Sequence, residues 1–307
     1  MKLLITGASG LYGSKLAETA TARNHKVYAG YTHNPPAHGT PIKLDITDKT
    51  QVYKAIEKAK PDAIVHAAAL TDVDKCETNK QLAWKTNVEG TKNIAEAANT
   101  QHAFLLYIST DYVFNGEKGQ YTETDTPNPI NHYGLTKLKA EELVKTAVNT
   151  YCIARTSVLY GATPAAGKTN FALWLLNRLE KNEPAKIVTD QWNTPTLNTN
   201  LADMTLEILE RTLTGTFHLA GATRINRYDF AKQLAQAFKL DTNLITPCTT
   251  ADFAWPAKRP TDSSLNTTKA QQTLRNKPLS LKHAIEKLKH ELNTLNTHSF
   301  KPPKTQL

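Results

Sequence analysis

The chain opens with an apolar stretch at residues 2–6 that runs straight into Thr6-Gly7-Ala8-Ser9-Gly10-Leu11-Tyr12-Gly13 and then into a helical pattern over 11–23. Three glycines at three-residue steps let the backbone turn tightly and set its N–H groups against a pyrophosphate. The helix N-terminus adds partial positive charge at the same place. Such spacing says little alone, and glycines serving only helix–strand packing are the plain alternative. Its position between a strand and a helix, at the head of an alternating array, gives it meaning. The array continues with strands at 26–31, 42–44, 63–67, 103–108 and 151–156, and helices at about 49–58, 90–99 and 133–148. Strands alternating with helices of this length imply parallel βαβ units and a sheet covered on both faces.

After about residue 161 the regularity breaks up. Helical patterns at 169–181, 201–213, 228–238 and 281–295 are separated by Pro- and Thr-rich loops. The expected architecture is α/β: a Rossmann-like doubly wound parallel sheet over 1–160, and a smaller C-terminal substrate-binding lobe over 161–297, with some interleaving. The lobe would sit at the carboxyl edge of the sheet, where open α/β sheets bind ligands. The last ten residues, 298–307, carry no periodic apolar pattern and read as a mobile tail.

Composition narrows the function. With 307 residues and 40% hydrophobics, the chain can bury a sizeable core and is too apolar for disorder. No apolar run approaches the ~18–20 residues that span a bilayer, and the first residues do not read as a signal peptide, so no membrane association is expected. Cys76, Cys152 and Cys248 are far apart and form no paired motif, which argues against a disulfide framework or a zinc site and fits a reducing cytoplasm. No carboxylate cluster has metal-ligand spacing, and no metal is expected.

The net charge is +9, from 37 Lys+Arg against 28 Asp+Glu. Ten of those cations against three acids lie in 257–307, which gives +7 there. The segment reads either as a solvated helix face with a loose tail, or as charge facing an anionic substrate. No nucleic-acid module accompanies it, so nucleic acid is not an expected partner.

The second strand ends in Tyr31-Thr32-His33-Asn34. No Asp or Glu stands there to bond a ribose 2′-hydroxyl or repel a 2′-phosphate, and His33 is the only nearby cation, which favours NADPH with NAD left open. Asp45-Ile46 could flank an adenine; alternatively Asp45 or Asp48 caps the next helix. Both readings stand on the sequence.

Tyr133-Gly134-Leu135-Thr136-Lys137 places a phenol and an ammonium at i and i+4 on one helix face. A free tyrosine has a pKa near ~10, and a neighbouring cation is expected to lower it toward the working range of a general acid–base. The spacing recurs at Tyr228/Lys232, so position decides. Tyr133 begins the helix after the fifth strand, downstream of Ser109-Thr110-Asp111-Tyr112-Val113-Phe114, which emerges where a ligand crevice should open. A hydroxyl in that cluster can bond a substrate oxygen and share the tyrosine's proton. The fourth strand ends at His66 and continues Ala67-Ala68-Ala69, whose small side chains permit close approach of a ring or ribose. His66 reads as a buried, satisfied histidine. Asp74 and Glu77 have capping-box spacing and read as helix caps.

These residues together resemble the extended short-chain dehydrogenase/reductases, and within them the dTDP-4-dehydrorhamnose reductase family. The resemblance spans nearly the whole chain: the Gly7/Gly10/Gly13 loop, HAAALTDVDKCE at 66–77, Asn87-Val88-Glu89-Gly90-Thr91, STDYVFNG at 109–116 and Tyr133/Lys137. It continues through Arg155-Thr156-Ser157, Asn170-Phe171, Asp190-Gln191 with Pro195-Thr196, and Arg259-Pro260. It implies hydride transfer from NAD(P)H to the C4 ketone of a nucleotide-linked 6-deoxy-4-ketohexose. Tyr133 would give the proton, Lys137 would hold the nicotinamide ribose, and Thr110 would bond the substrate oxygen. Gly7, Gly10, Leu11, Tyr12 and Gly13 would line the pyrophosphate, Asp45 and Ile46 the adenine, and Ala67, Ala68 and Ala69 the inner half of the cofactor. Asn87 would support a relay water or the helix geometry. Thr71, Thr110, Asp111 and Tyr112 would touch the sugar, and Arg259 is expected to meet its phosphates. The family often carries a tryptophan where this chain has Val158, which leaves the sugar and its nucleotide handle open. The resemblance also admits epimerisation or dehydration of a related substrate, and a non-catalytic, cofactor-binding subunit of methionine adenosyltransferase. A homodimer is the default assembly.

Overall fold

The computed structural model describes residues 1–164 and 169–299. Residues 300–307 of the expected tail lie outside them; 298 and 299 belong to the backbone of the last helix, Leu281–Ser299. The first half alternates as expected. Strands β1 (Lys2–Thr6), β2 (Lys26–Tyr31), β3 (Thr40–Lys43), β4 (Ala63–His66), β5 (Phe104–Thr110) and β6 (Tyr151–Thr156) are interleaved with helices Leu11–Ala22, Lys49–Ala59, Gly90–Thr100 and His132–Ala147. The seven-stranded sheet has the order Gly215–His218, β6, β5, β4, β1, β2, β3, and each adjacent pair runs parallel.

Strand periodicity explains why both faces are dry. Leu3, Ile5, Val65, Leu106 and Ala154 point to one face, under helix Leu11–Ala22. Leu4, Ile64, Leu105, Tyr107 and Ile153 point to the other, under Lys49–Ala59, Gly90–Thr100 and His132–Ala147. Side chains that alternate across a doubly covered sheet give the continuous apolar runs seen in the sequence.

The strand order reverses between β1, which is followed in the chain by β2 on one side, and β4, which adjoins β1 on the other. That switch point leaves a crevice beyond the strand ends at Thr6 and His66.

The second half departs from the expected division. Helix Asn198–Glu210, predicted as part of the lobe, packs on helix Leu11–Ala22 in the first layer. Leu201, Ala202, Met204, Leu206, Ile208 and Leu209 are all buried there, so most of its circumference is enclosed. It leads into Gly215–His218, a seventh strand the sequence reading did not anticipate. A second return places Ala270 and Leu274 in the same core. The lobe proper is built on helices Phe171–Glu180, Arg227–Ala237 and Leu281–Ser299 around Tyr160, Leu175, Phe230 and Ile285. Among the described residues no helix is long and apolar enough to cross a membrane.

Candidate active site

A cleft of about 1090 Å³ opens at the switch point, between the carboxyl ends of the strands and the lobe. One small-molecule site typically occupies ~300–1,000 Å³, so there is room for a long ligand or for two side by side.

One end is the glycine loop. Gly7, Gly10, Leu11, Tyr12 and Gly13 all line the cleft. Gly7 is left-handed, with φ +68°, and a Cβ there would stand 2.9 Å from Ala68 Cα; one at Gly13 would collide with the Gly7 carbonyl oxygen. The loop therefore folds back on itself with nothing between its backbone and the cleft, which is the shape a pyrophosphate needs. Tyr12 takes part through its backbone, since its buried phenol donates to Thr205 Oγ1 at 2.7 Å on helix Asn198–Glu210.

Beyond the loop, Tyr31, Thr32, His33 and Asn34 line the cleft with Asp45 and Ile46. Of the two cap candidates, the hydrogen bonds single out Asp48. Asp48 caps helix Lys49–Ala59 by accepting from Gln51 N. Asp45 is exposed at the cleft and accepts from both the Thr47 backbone N and its hydroxyl, each at 2.9 Å.

Ala67, Ala68 and Ala69 form the floor. Thr6 Oγ1 fixes them by accepting from Ala67 N at 3.2 Å and Ala68 N at 3.1 Å. His66 is buried as expected, its ring nitrogens against Thr6 at 2.7 Å and Thr91 at 3.0 Å. Burial, followed by the charge on Lys137, pushes it down to about 3, so the imidazole is neutral.

At the centre, β5 runs two residues beyond its predicted end and delivers Ser109 and Thr110 as strand residues. Asn131 caps helix His132–Ala147 by accepting from Gly134 N, which starts that helix beside Thr110. Thr110, Asp111, Tyr133 and Lys137 then line one wall. The Thr110 hydroxyl donates to Asp111 Oδ1 at 3.0 Å and reaches the Tyr133 phenol. Tyr112 stands edge-on to Tyr133, with ring centroids 6.1 Å apart.

Lys137 is almost fully buried. Its Nζ donates to Ile108 O at 2.7 Å and lies 4.1 Å from the centroid of the Tyr107 ring. Burial pushes it down to about 7, against the opposing pull of Glu141 and Cys76. Tyr133 departs from the sequence expectation. Burial pushes its pKa up, the Thr110 hydroxyl pulls it back, and the nearby acids Asp111, Cys76 and Tyr112 add to the rise. Desolvation outweighs any cation here. For a reduction that is the useful direction, because the phenol keeps the proton it must give.

Asn87 takes the helix-geometry part expected of it, while Tyr112 and Arg259 do not line the cleft. Asn87 does not line the cleft: it accepts from Leu70 N at 2.8 Å and donates to Leu70 O at 3.1 Å and Thr136 Oγ1 at 3.0 Å. It sits in a π-helical turn, Lys85–Glu89, and ties the exit of β4 to the residue before Lys137. Tyr112 flanks Tyr133 without lining the cleft. Arg259 is spent elsewhere, donating to Asp74 Oδ2 at 2.7 Å and Ala257 O at 2.7 Å. The reading of Asp74 and Glu77 as caps fails for the same reason. Asp72 caps helix Val73–Thr78, Asp74 holds Arg259, and Glu77 accepts from His132 N. The basic C-terminal segment contributes nothing to the cleft among the described residues; Lys269 and Lys289, for example, bond main-chain oxygens at Thr216 and Ala237. The second Tyr/Lys match, Tyr228/Lys232, lies in the lobe away from the cleft, with Lys232 on Thr242 O.

Sequence reasoning missed the supports. Asp111 is raised by burial, while Ser263 at 2.6 Å and Ser157 at 2.8 Å donate to its Oδ2. Ser157 belonged to a recognisable motif, whereas Ser263 carried no local signal. Glu141 and Arg155 form a fully buried bidentate pair behind Lys137, at 2.9 and 2.7 Å, with Ser109 donating to the same carboxylate at 2.5 Å. A glutamate four residues after Lys137 and an arginine inside an apolar strand were the available hints.

With this geometry in place, comparison with known proteins gives the kinship. A family model described as the RmlD substrate binding domain matches residues 1–294. The chain belongs to this family. It is 33% identical over 300 residues to a dTDP-4-dehydrorhamnose reductase of Aggregatibacter actinomycetemcomitans, covering 94% of this chain and 98% of that one. The crystal structure of the Bacillus anthracis dTDP-4-dehydrorhamnose reductase in complex with NADP superposes with a TM-score of 0.86 at 32% identity, over 95% of this chain and 100% of that one. The methionine adenosyltransferase 2 subunit beta of Bos taurus is 31% identical over 271 residues, 86% of this chain and 80% of its own. The family membership expected from STDYVFNG and the Tyr/Lys pair is thus borne out, as is the doubly wound fold. Reductases and a methionine adenosyltransferase subunit occur among these relatives at similar identity, so the chemistry of the wall around Tyr133 has to separate them.

Proposed function

We infer that this chain is an NADPH-dependent reductase of the C4 ketone of a nucleotide-linked 6-deoxy-4-ketohexose, the activity named for the dTDP-4-dehydrorhamnose reductases it resembles. The observation that carries the reading is the convergence of Thr110, Tyr133 and Lys137 on one wall of a cleft whose other end is a glycine cradle. The cradle, the alanine floor and a β2 end without a carboxylate fit NADP, which when bound supplies a hydride.

The chain's own residues supply the rest. Gly7 to Gly13 would hold the pyrophosphate on backbone N–H groups, and the small side chains of Ala67 to Ala69 would admit the inner half of the cofactor. Lys137, fixed by Ile108 O, offers its remaining N–H bonds to the nicotinamide ribose. The Thr110 hydroxyl, turning its hydrogen from Asp111 Oδ1 to the ketone oxygen, orients that oxygen toward the Tyr133 phenol, which passes its proton to the oxygen as negative charge develops there. Three free cysteines support a reducing cytoplasmic setting.

The test is to mix the protein with NADPH and a dTDP-4-keto-6-deoxy sugar and follow cofactor absorbance. Stoichiometric oxidation is expected. Sugar conversion without oxidation points to epimerisation or dehydration, and tight NADPH binding without turnover points to a regulatory subunit; either result overturns the reading.

A pH dependence follows from Lys137. Its ammonium is charged below about pH 7 and neutral above, while Tyr133 keeps its proton throughout that range. The kcat/KM for NADPH, which reports the free enzyme, should therefore fall about tenfold per pH unit on the alkaline side of about 7. A flat profile between pH 6 and 9 would rule out Lys137 as the titrating group.

A further inference from the structure

Among the described residues, Lys85, Lys137 and Arg227 are the lysines and arginines that line the cleft. Lys137 is committed to Ile108 O and the Tyr107 ring. Lys85 is exposed on the π-helical turn, where its charge is solvated. Arg227 is different. It is half-buried at the first turn of helix Arg227–Ala237, with its backbone N donating to Gln191 O at 3.1 Å. Its guanidinium carbon lies 5.4 Å from the centroid of the Phe171 ring, and that ring is itself packed on Phe230 and Trp174. The Tyr112 phenol lies close enough to Arg227 to feel its charge.

No carboxylate pairs with Arg227 among the described residues. Asp111 is near enough to feel its charge, but its Oδ2 is taken by Ser157 and Ser263 and its Oδ1 by Thr110. Arg227 is therefore a partly buried cation set beside an aromatic ring on the cleft wall. An unpaired cation in such a place is costly until an anion arrives, and a planar fork of N–H groups matches phosphate oxygens in pairs. Val158, where a large aromatic residue was the family's expectation, lines the same cleft as Arg227.

We propose that Arg227 grips the pyrophosphate of the substrate, taking the part that Arg259 cannot play. This rests on the reading of the substrate as a nucleotide sugar and assigns the anion of that substrate to one residue. Gly7 to Gly13 would hold the cofactor's own pyrophosphate, so the two diphosphates would have separate holders. A carboxylate on the sugar ring would suit the same fork, and the choice of probe separates the two sources, because a nucleoside diphosphate carries no sugar acid.

The experiment titrates dTDP, UDP, dTMP and thymidine into the full-length protein saturated with NADPH, by calorimetry. The wild type should bind a nucleoside diphosphate clearly more tightly than dTMP or thymidine. In Arg227→Gln the diphosphate affinity should fall about 10- to 100-fold, with Arg227→Lys intermediate and the NADPH affinity within about twofold of wild type. An unchanged thermal midpoint in both variants checks folding. Diphosphate affinity in Arg227→Gln within twofold of wild type overturns the proposal, as does equal loss for NADPH, or no nucleoside diphosphate binding to the wild type. These readouts need no turnover. A chain that reduces no keto sugar yet grips dTDP through Arg227 would sink the reductase reading alone; a working reductase with an unaltered sugar KM in Arg227→Gln would sink this inference alone.

Discussion

Tyr133→Phe should lower kcat by at least ~10²-fold while leaving NADPH affinity nearly unchanged. The ring stays in place: it packs edge-on to Tyr112, and its helix start is fixed by Asn131. Only the oxygen is removed, and with it the one neutral O–H positioned beside Thr110 that can protonate a nascent alkoxide. The loss should be confined to the chemical step, so single-turnover oxidation of pre-bound NADPH is the measurement that isolates it. Turnover at the wild-type rate would remove Tyr133 as the acid. Thr110 would not be a ready substitute, since its hydroxyl already donates to Asp111 and accepts from Tyr112 N.

The second large effect is on stability. Arg155 and Glu141 are 2% and 0% exposed and bond each other twice, with Ser109 completing the carboxylate. Arg155→Met removes one partner and leaves a carboxylate in a dry interior, an error that costs ~3–5 kcal/mol. Global stabilities are only ~5–15 kcal/mol, so the urea midpoint should fall substantially. The paired change Arg155→Met with Glu141→Leu should recover much of that loss, because no charge is then left unmatched. If the double variant is as unstable as the single one, the damage comes from lost packing against Phe114, over whose ring the guanidinium lies at 5.1 Å, and the electrostatic argument fails.

Much of this was legible in the residues because local periodicity and local chemistry agreed. Lys2–Thr6, Lys26–Tyr31 and Tyr151–Thr156 form the strands their apolar runs predict, since each is enclosed on both faces. The glycine loop and the Tyr133/Lys137 spacing are written within a few consecutive positions, so no tertiary knowledge was needed to find them. What escaped notice depends on distant partners. Whether Asp45 or Asp48 caps a helix turns on which reaches Gln51 N. Arg259 looked available until folding brought Asp74, 185 positions away, to 2.7 Å. Arg227 carried no signal in the sequence, and only the lobe's packing places it in the cleft. Gly215–His218 is four residues long and carries too little pattern to declare itself, yet β6 gives it a place.

The two returns of the chain into the first layer, at Asn198–His218 and again near Ala270, bear on how the molecule can move. Cofactor half and sugar half are joined by several covalent connections instead of one swivel. A wide clamshell opening would have to bend all of them together, whereas a small sliding of packed faces would not. Ligand entry is therefore restricted to shear of low amplitude, and the distance from the glycine cradle to the Arg227 platform is set by the weave of the backbone.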